Sequence, residues 1–262
     1  MTIAEALGAS GLEPRDARLL LAHATGFSAA AVLAFSEREL SAEAAERFSA
    51  FAERRRRGEP VAYIVGEKEF YGLPFAVNPA VLIPRPETEL LVDLALERQF
   101  RAAADLGTGC GAIALALKHE RPNARIVGVE ASAAALELAR RNAVRLGLDV
   151  EWRHGRWCEP LAGELYDLIL ANPPYVAEGD PHLGALTYEP RHALVAGSDG
   201  LDAIRAIVGQ APAHLERRAW LLIEHGAGQD AVVRGLLERA GLEEAQTWPD
   251  LAGIPRVSGG RR

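Results

Sequence analysis

From about residue 102 onward the chain alternates short apolar runs with longer amphipathic stretches, and few folds admit that alternation. A strand covered on both faces reads as a continuous apolar run, whereas a helix packed on it carries apolar residues three and four apart. The spacing predicts strands over 102–106, 125–129, 150–153, 166–171 and 219–223, with helices over 132–146, 199–215 and 229–240. Gly147 and Gly241 stand where two of these helices stop. Further strands are expected at 243–247 and 256–258. The pattern is that of an α/β protein with a doubly wound parallel sheet, which binds its ligands beyond the carboxyl ends of the strands.

With 262 residues there is room for a second, smaller domain ahead of this sheet. Pro14 opens a helical segment with Leu19, Leu20 and His23 on one side, and Gly26 closes it. Ser28 can cap a second helix. A third is expected from Ser41, with Glu43 in its first turn and Arg54-Arg55-Arg56-Arg57 at its end before Gly58. That basic run has two readings, a solvated C-terminal turn or a contact with RNA or an acidic partner. The stretches 62–65 and 70–77, rich in aromatic and β-branched residues, predict a β-hairpin. The expected layout is an N-terminal helical domain over 1–58, a hairpin linker over 59–78 and a catalytic domain over 79–262.

The most informative loop follows the apolar run Leu168-Ile169-Leu170-Ala171 and reads Asn172-Pro173-Pro174-Tyr175. Two prolines in series stiffen the chain and remove two backbone donors. Neighbouring carbonyls and the Asn172 side-chain oxygen are then available as acceptors, beside the flat face of Tyr175. Such a corner suits a planar amine or amide. Gripping both N–H bonds would aim a poorly nucleophilic nitrogen and stabilise the charge that grows on it. The same residues also suit a turn that caps a buried strand.

Asp105-Leu106-Gly107-Thr108-Gly109-Cys110-Gly111 lies between the first strand of the sheet and a helix, where such folds bind nucleotide-like ligands. A dinucleotide fingerprint would want a third glycine at Ala112. A carboxylate at Asp105 would repel a pyrophosphate and suits a ligand with a sulfonium or ammonium centre, so S-adenosylmethionine fits better than NAD. Glu130 ends the second strand of the sheet, where an acid commonly accepts from both ribose hydroxyls. Trp157 could flank the adenine. Cys110 reads as a small loop residue, since no base is placed to make its thiol a nucleophile.

Net charge is −7, from 36 acids and 29 bases, which gives no general attraction for a polyanion. Cys110 and Cys158 make neither a disulfide framework nor a metal pattern, and the seven histidines show no metal-ligand spacing. His225, in Glu224-His225-Gly226, is the one in a suggestive place, with a structural role expected. A soluble, cytoplasmic protein is expected, with nothing that demands more than a monomer.

With these residues assembled, the chain resembles the class I S-adenosylmethionine-dependent methyltransferases. Within them it is similar to the PrmC/HemK family, which methylates a glutamine side chain in peptide chain release factors. The resemblance runs nearly end to end. It is carried by Glu59-Pro60 with Tyr63-Ile64 and Gly66, by Ile83-Pro84-Arg85-Pro86-Glu87-Thr88-Glu89, by 105–111, by Asn172-Pro173-Pro174-Tyr175, and by Asp250-Leu251-Ala252-Gly253 with Arg256-Val257. It implies a small helical N-terminal domain, a hairpin linker, and a seven-stranded catalytic domain whose last strand is antiparallel. It also implies a substrate, the glutamine of the release factors' Gly-Gly-Gln motif. By position, Gly107, Thr108, Gly109, Cys110, Gly111, Glu130, Trp157 and Asn172 would line the donor pocket, and Asn172, Pro173, Pro174 and Tyr175 would hold the glutamine amide. Glu130 stands where aspartate is commoner, Tyr188 replaces a usual phenylalanine, and Arg156 stands where an acid often precedes the tryptophan. A nucleic-acid amine methyltransferase (adenine N6 or guanine N2) and a non-catalytic binding module of the same fold are the rival readings. The negative charge and the absence of a basic stripe weigh against the first, and the complete clamp against the second.

Overall fold

The computed structural model describes residues 1–262, which divide into two compact units, 1–67 and 68–262.

The first unit is helical. Helix α1 (Ile3–Ala9) starts at a reciprocal cap in which Glu5 N donates to Thr2 Oγ1 at 3.2 Å and Thr2 N donates to Glu5 Oε2 at 2.8 Å. Helix α2 (Pro14–Thr25) begins on its proline and ends at Gly26 in the left-handed conformation. Its buried stripe is Ala17, Leu20, Leu21 and Ala24, packed with Ile3, Val32 and Phe48. Leu19 and His23 face outward, which corrects the expected face: the small alanines, not the larger side chains, complete the i, i+3, i+4, i+7 set. Ser28 and Ser41 cap α3 (Ala29–Ala34) and α4 (Ala42–Arg56). The four arginines are all engaged within this unit. Arg54 grips Glu59, Arg55 meets Asp16 at 2.7 Å, and Arg56 and Arg57 both meet Glu53.

The stretch expected to form the first strand of a hairpin is instead helix α5 (Val61–Val65). Pro60 presets the chain there and its carbonyl accepts from Tyr63 N and Ile64 N, while Gly66 at φ 76° stops the helix after one turn. Burial of Tyr63 and Ile64 outweighs the β propensity of this run. The hairpin is shorter and later, β1 (Glu67–Phe70) and β2 (Leu73–Ala76), turning on Tyr71 and Gly72, both at positive φ as a tight two-residue turn requires.

In the larger unit a single 3₁₀ turn, Pro86–Thr88, leads into α6 (Glu89–Leu96). There follow β3 (Ala102–Leu106), α7 (Ala112–Glu120), β4 (Arg125–Glu130), α8 (Ala133–Leu146), β5 (Glu151–His154), β6 (Tyr166–Ala171), α9 (Asp202–Gln210), β7 (Leu215–Glu224), α10 (Asp230–Arg239), β8 (Glu243–Pro249) and β9 (Pro255–Arg261). They build one seven-stranded sheet in the order β5-β4-β3-β6-β7-β9-β8, with β9 antiparallel to both of its neighbours. The core on one side of it joins Leu106, Val129, Ile169 and Ile223 to Ile204 and Ile207 of α9 and Leu237 of α10.

Two spans differ from expectation. The helix predicted over 199–215 ends at Gln210, because Pro212 cannot donate to it, and Leu215 already pairs with Tyr166 as β7 begins. Strand β9 runs on through Gly259 and Gly260, where a Cβ on Gly259 would lie 2.6 Å from Leu222 Cδ2. Close contact with the neighbouring strand excludes a side chain there.

Candidate active site

In register, Leu106 pairs with Val129 on one side and Ala171 on the other, and Ala171 pairs with Ile223. The residues one step further, Glu130, Gly107, Asn172 and Glu224, therefore leave the sheet side by side. They do so where the strand order reverses between β3 and β6, the position at which open α/β sheets bind ligands. A cavity of about 670 Å³ opens over this edge.

Its first wall is the glycine loop. Gly107, Gly109 and Gly111 all have positive φ, and Gly107 N and Thr108 N both donate to Val129 O, at 2.8 and 2.9 Å. Glu130 fixes the loop from the next strand, because its Oε2 accepts from Gly109 N at 2.9 Å and its Oε1 from Ser132 N at 2.8 Å. Both oxygens keep lone pairs for a ligand hydroxyl. Trp157 holds a left-handed backbone at φ 51° and lays its ring against Gly107, where a Cβ would meet it at 3.2 Å. Its Nε1 is buried without a partner, and the Arg156 guanidinium lies over its ring at 6.0 Å. Cys110 lines the cavity, yet burial pushes its thiol up to about 12, so it is no nucleophile.

Asp105 is the correction. The sequence reading placed its carboxylate at the mouth of the loop, but Asp105 pairs with Gly128 and Leu170 one level below the edge and does not line the cavity. Its Oδ2 accepts from Thr108 Oγ1 at 2.5 Å, and burial pushes its carboxyl up to about 7. Gly111 is likewise behind the wall, crowded by Trp152 and Leu115 at the start of α7.

The opposite wall is the Asn-Pro-Pro-Tyr corner. Asn172 Nδ2 donates to Thr88 Oγ1 at 3.0 Å, which leaves Oδ1 a buried acceptor with no partner in the protein. Asn172 and Pro174 line the cavity, while Pro173 is buried and Tyr175 stands behind. The Tyr175 carbonyl accepts from Gln229 Nε2 at 3.1 Å, and burial pushes its phenol up to about 12. Segment 192–197 borders the cavity from above, strapped to the corner by Val176 N donating to Leu194 O and Ala196 N donating to Val176 O. Glu189 ties in segment 80–85 by accepting from Ile83 N at 3.0 Å and pairing with Arg85.

Known proteins are similar to this chain along nearly its whole length. The family model for the PrmC N-terminal domain matches residues 2–66, and that for the methyltransferase small domain matches 86–197. The release factor glutamine methyltransferase of Xylella fastidiosa (strain Temecula1) is 49% identical over 95% of this chain and 94% of its own length. The protein of that name from Pseudomonas aeruginosa is 48% identical over 94% and 91%. This chain belongs to the release factor glutamine methyltransferase family. Structures at lower identity share the fold of this methyltransferase. A Thermus thermophilus 16S rRNA N2 methyltransferase in complex with AdoMet and guanosine superposes with TM-score 0.56 at 23% identity, over 75% of this chain and 49% of that one. A methyltransferase from Pyrococcus furiosus does so with TM-score 0.57 at 17% identity, over 81% and 98%.

Two residues near the cavity are not singled out as site candidates by the sequence pattern, Thr88 on its lining and Glu224 behind it. Thr88 lines the cavity and holds Asn172, and it stands within the segment 83–89 that carries the family resemblance. Glu224 ends β7 as Glu130 ends β4, an acid after the apolar run Leu221-Leu222-Ile223, and that placement was its signal. His225 beside it is buried and shares hydrogen bonds with Ser258 Oγ at 2.9 Å and Gly226 O at 3.0 Å, the structural role expected.

Proposed function

We propose that this protein transfers a methyl group from S-adenosylmethionine to the side-chain amide nitrogen of the glutamine in the Gly-Gly-Gln motif of peptide chain release factors. The relatives' shared name supports the substrate class, and one atom carries the chemistry: Asn172 Oδ1, buried and unpaired at the cavity wall. A buried acceptor without a partner is unfavourable by about 1–3 kcal/mol, and an incoming N–H removes that penalty. The cavity also fits the donor. Glu130 presents a carboxylate already anchored by two backbone donors, Gly107 lets a ligand approach the backbone, and Trp157 supplies an apolar face.

When bound, S-adenosylmethionine supplies an electrophilic methyl carbon. Asn172 accepts an N–H of the substrate carboxamide and so holds its nitrogen in place, and the prolines keep the corner from yielding. As positive charge grows on that nitrogen the Asn172 acceptor strengthens, which lowers the barrier more than it stabilises the resting complex. The surplus proton leaves to water. Arg54 to Arg57 are engaged in ion pairs inside the N-terminal unit, which weighs against a polyanion reading of that run. The substrate class supports localisation to the cytoplasm.

Asn172→Ala should keep donor affinity within about threefold and lose about 10²-fold or more in kcat toward a release factor. Calorimetry and transfer of labelled methyl, with the label located by peptide mapping, read both. Normal turnover, or label on a residue other than the glutamine, would overturn this assignment.

A further inference from the structure

Glu224 stands one strand from Asn172, since Ile223 and Ala171 pair in register. It is 1% exposed, and its Oε2 has no partner. Thr88 lies between the two: Asn172 Nδ2 donates to Thr88 Oγ1, and the Thr88 hydroxyl faces the Glu224 carboxyl. Because Thr88 Oγ1 accepts from Asn172, its single hydroxyl proton is left to turn toward Glu224. The row then has one direction, from amide to hydroxyl to carboxylate. We propose that Glu224 is a positioning residue for methyl transfer, whose ionised carboxylate orders the Thr88 hydroxyl so that Asn172 keeps Nδ2 inward and Oδ1 toward the substrate amide. This rests on the glutamine-amide reading above.

The opposite polarity is disabling. If Glu224 carries a proton it donates to Thr88, Thr88 donates to Asn172, and the Asn172 amide turns over to accept. The cavity then meets an NH2 group, which cannot hold the N–H bonds of a carboxamide. Burial pushes Glu224 up to about 7, so the two polarities exchange near neutral pH. The groups facing it are Thr88 and Glu87 from the turn before α6, Arg256 from β9, and Tyr175 from the loop after β6. Thr88, Arg256 and Tyr175 favour the ionised form and Glu87 opposes it. Arg256 is held by Asp250 at 3.0 Å, and Tyr175 stays protonated through this range.

The test measures kcat and KM for a release factor from about pH 6 to about pH 9, with donor affinity by calorimetry, in the wild type, Glu224→Gln, Thr88→Val and Thr88→Ser. In the wild type kcat should fall on the acid side of neutrality. Glu224→Gln, whose amide can face Thr88 either way, should lose about tenfold or more in kcat and the acid limb with it, with donor affinity within about twofold. Thr88→Val should lose a similar factor and Thr88→Ser recover most of it, and this pair carries the test should Glu224→Gln fail to bind donor. A wild type that methylates the glutamine while Glu224→Gln keeps both its kcat and its acid limb overturns the inference alone, as does a Thr88→Val protein of wild-type kcat. A wild type that leaves the glutamine unmethylated overturns the functional reading and this inference with it.

Discussion

Replacing Asp105 by asparagine should stabilise the larger unit, and by more as the pH rises. Asp105 is 1% exposed, accepts from Thr108 through Oδ2, and leaves Oδ1 without a partner. Burial pushes its carboxyl from 3.8 up to about 7, while Thr108 and the Ala114 backbone pull it down and Glu130 pushes it further up. In the unfolded chain the group ionises at its ordinary value, so between the two values the folded state holds a proton that the unfolded state has lost. Raising the pH through this window therefore favours unfolding, and the penalty is complete only above the folded value. A displacement of about three units corresponds to about 4 kcal/mol at about 1.4 kcal/mol per unit. Asparagine has the same shape, can accept from Thr108, and does not titrate. Its NH2 replaces an already unpaired oxygen, for an offset of about 1 kcal/mol that does not vary with pH. The stability difference between variant and wild type should grow by about 3–4 kcal/mol from about pH 4 to about pH 8. Glu224 gives a similar slope, common to both proteins, so the difference isolates Asp105. Urea unfolding followed by tryptophan fluorescence suits the measurement, since Trp152, Trp157, Trp220 and Trp248 all lie in the unit 68–262. A difference that stays flat with pH, or a variant that loses stability relative to wild type toward alkaline pH, would refute the reasoning.

Gly200→Ala should lose stability by about 2 kcal/mol or more and depress methyl transfer, because its φ is +75° and a Cβ would lie 2.2 Å from the Tyr175 carbonyl oxygen. Gly209→Ala in α9, with nothing within 4 Å of the new Cβ, should instead stabilise by about 0.5–1 kcal/mol, and thermal melts of the pair check both signs. Cys110 and Cys158, each pushed up to about 12 by burial, should resist iodoacetamide in the native protein and react in urea, as mass spectrometry would show.

Strands β3 and β6 and helices α2 and α8 were legible in the sequence because each is bounded by its own punctuation: a glycine loop, a proline pair, a serine cap or a closing glycine. What escaped was set by distant partners. Leu215, followed by Glu216, Arg217 and Arg218, looks nothing like a strand, and it is one because it pairs with Tyr166. Helix α5 runs against the propensity of Val61-Ala62-Tyr63-Ile64-Val65, and buried side chains decide it. The same division holds at the site. Gly107, Glu130, Trp157 and Asn172 lie at or beside strand ends, where loops announce themselves, and all four line the cavity. Asp105 lies below it, level with Leu170, a matter of register that local pattern does not fix. Asn172 and Glu224 come side by side only once β6 and β7 pair, and Thr88 reaches Asn172 from the turn before α6, so no local spacing could have joined them.

Glu130 seats two loops with one carboxylate, the glycine turn through Gly109 and the head of α8 through Ser132. The wall against which a ribose would rest is thus standing before any guest arrives, and no chain entropy is spent there on assembly. On the function proposed above, fresh donor and its demethylated remnant would trade places on a surface that these two bonds already hold, while the glutamine of a partner protein would enter at the opposite wall.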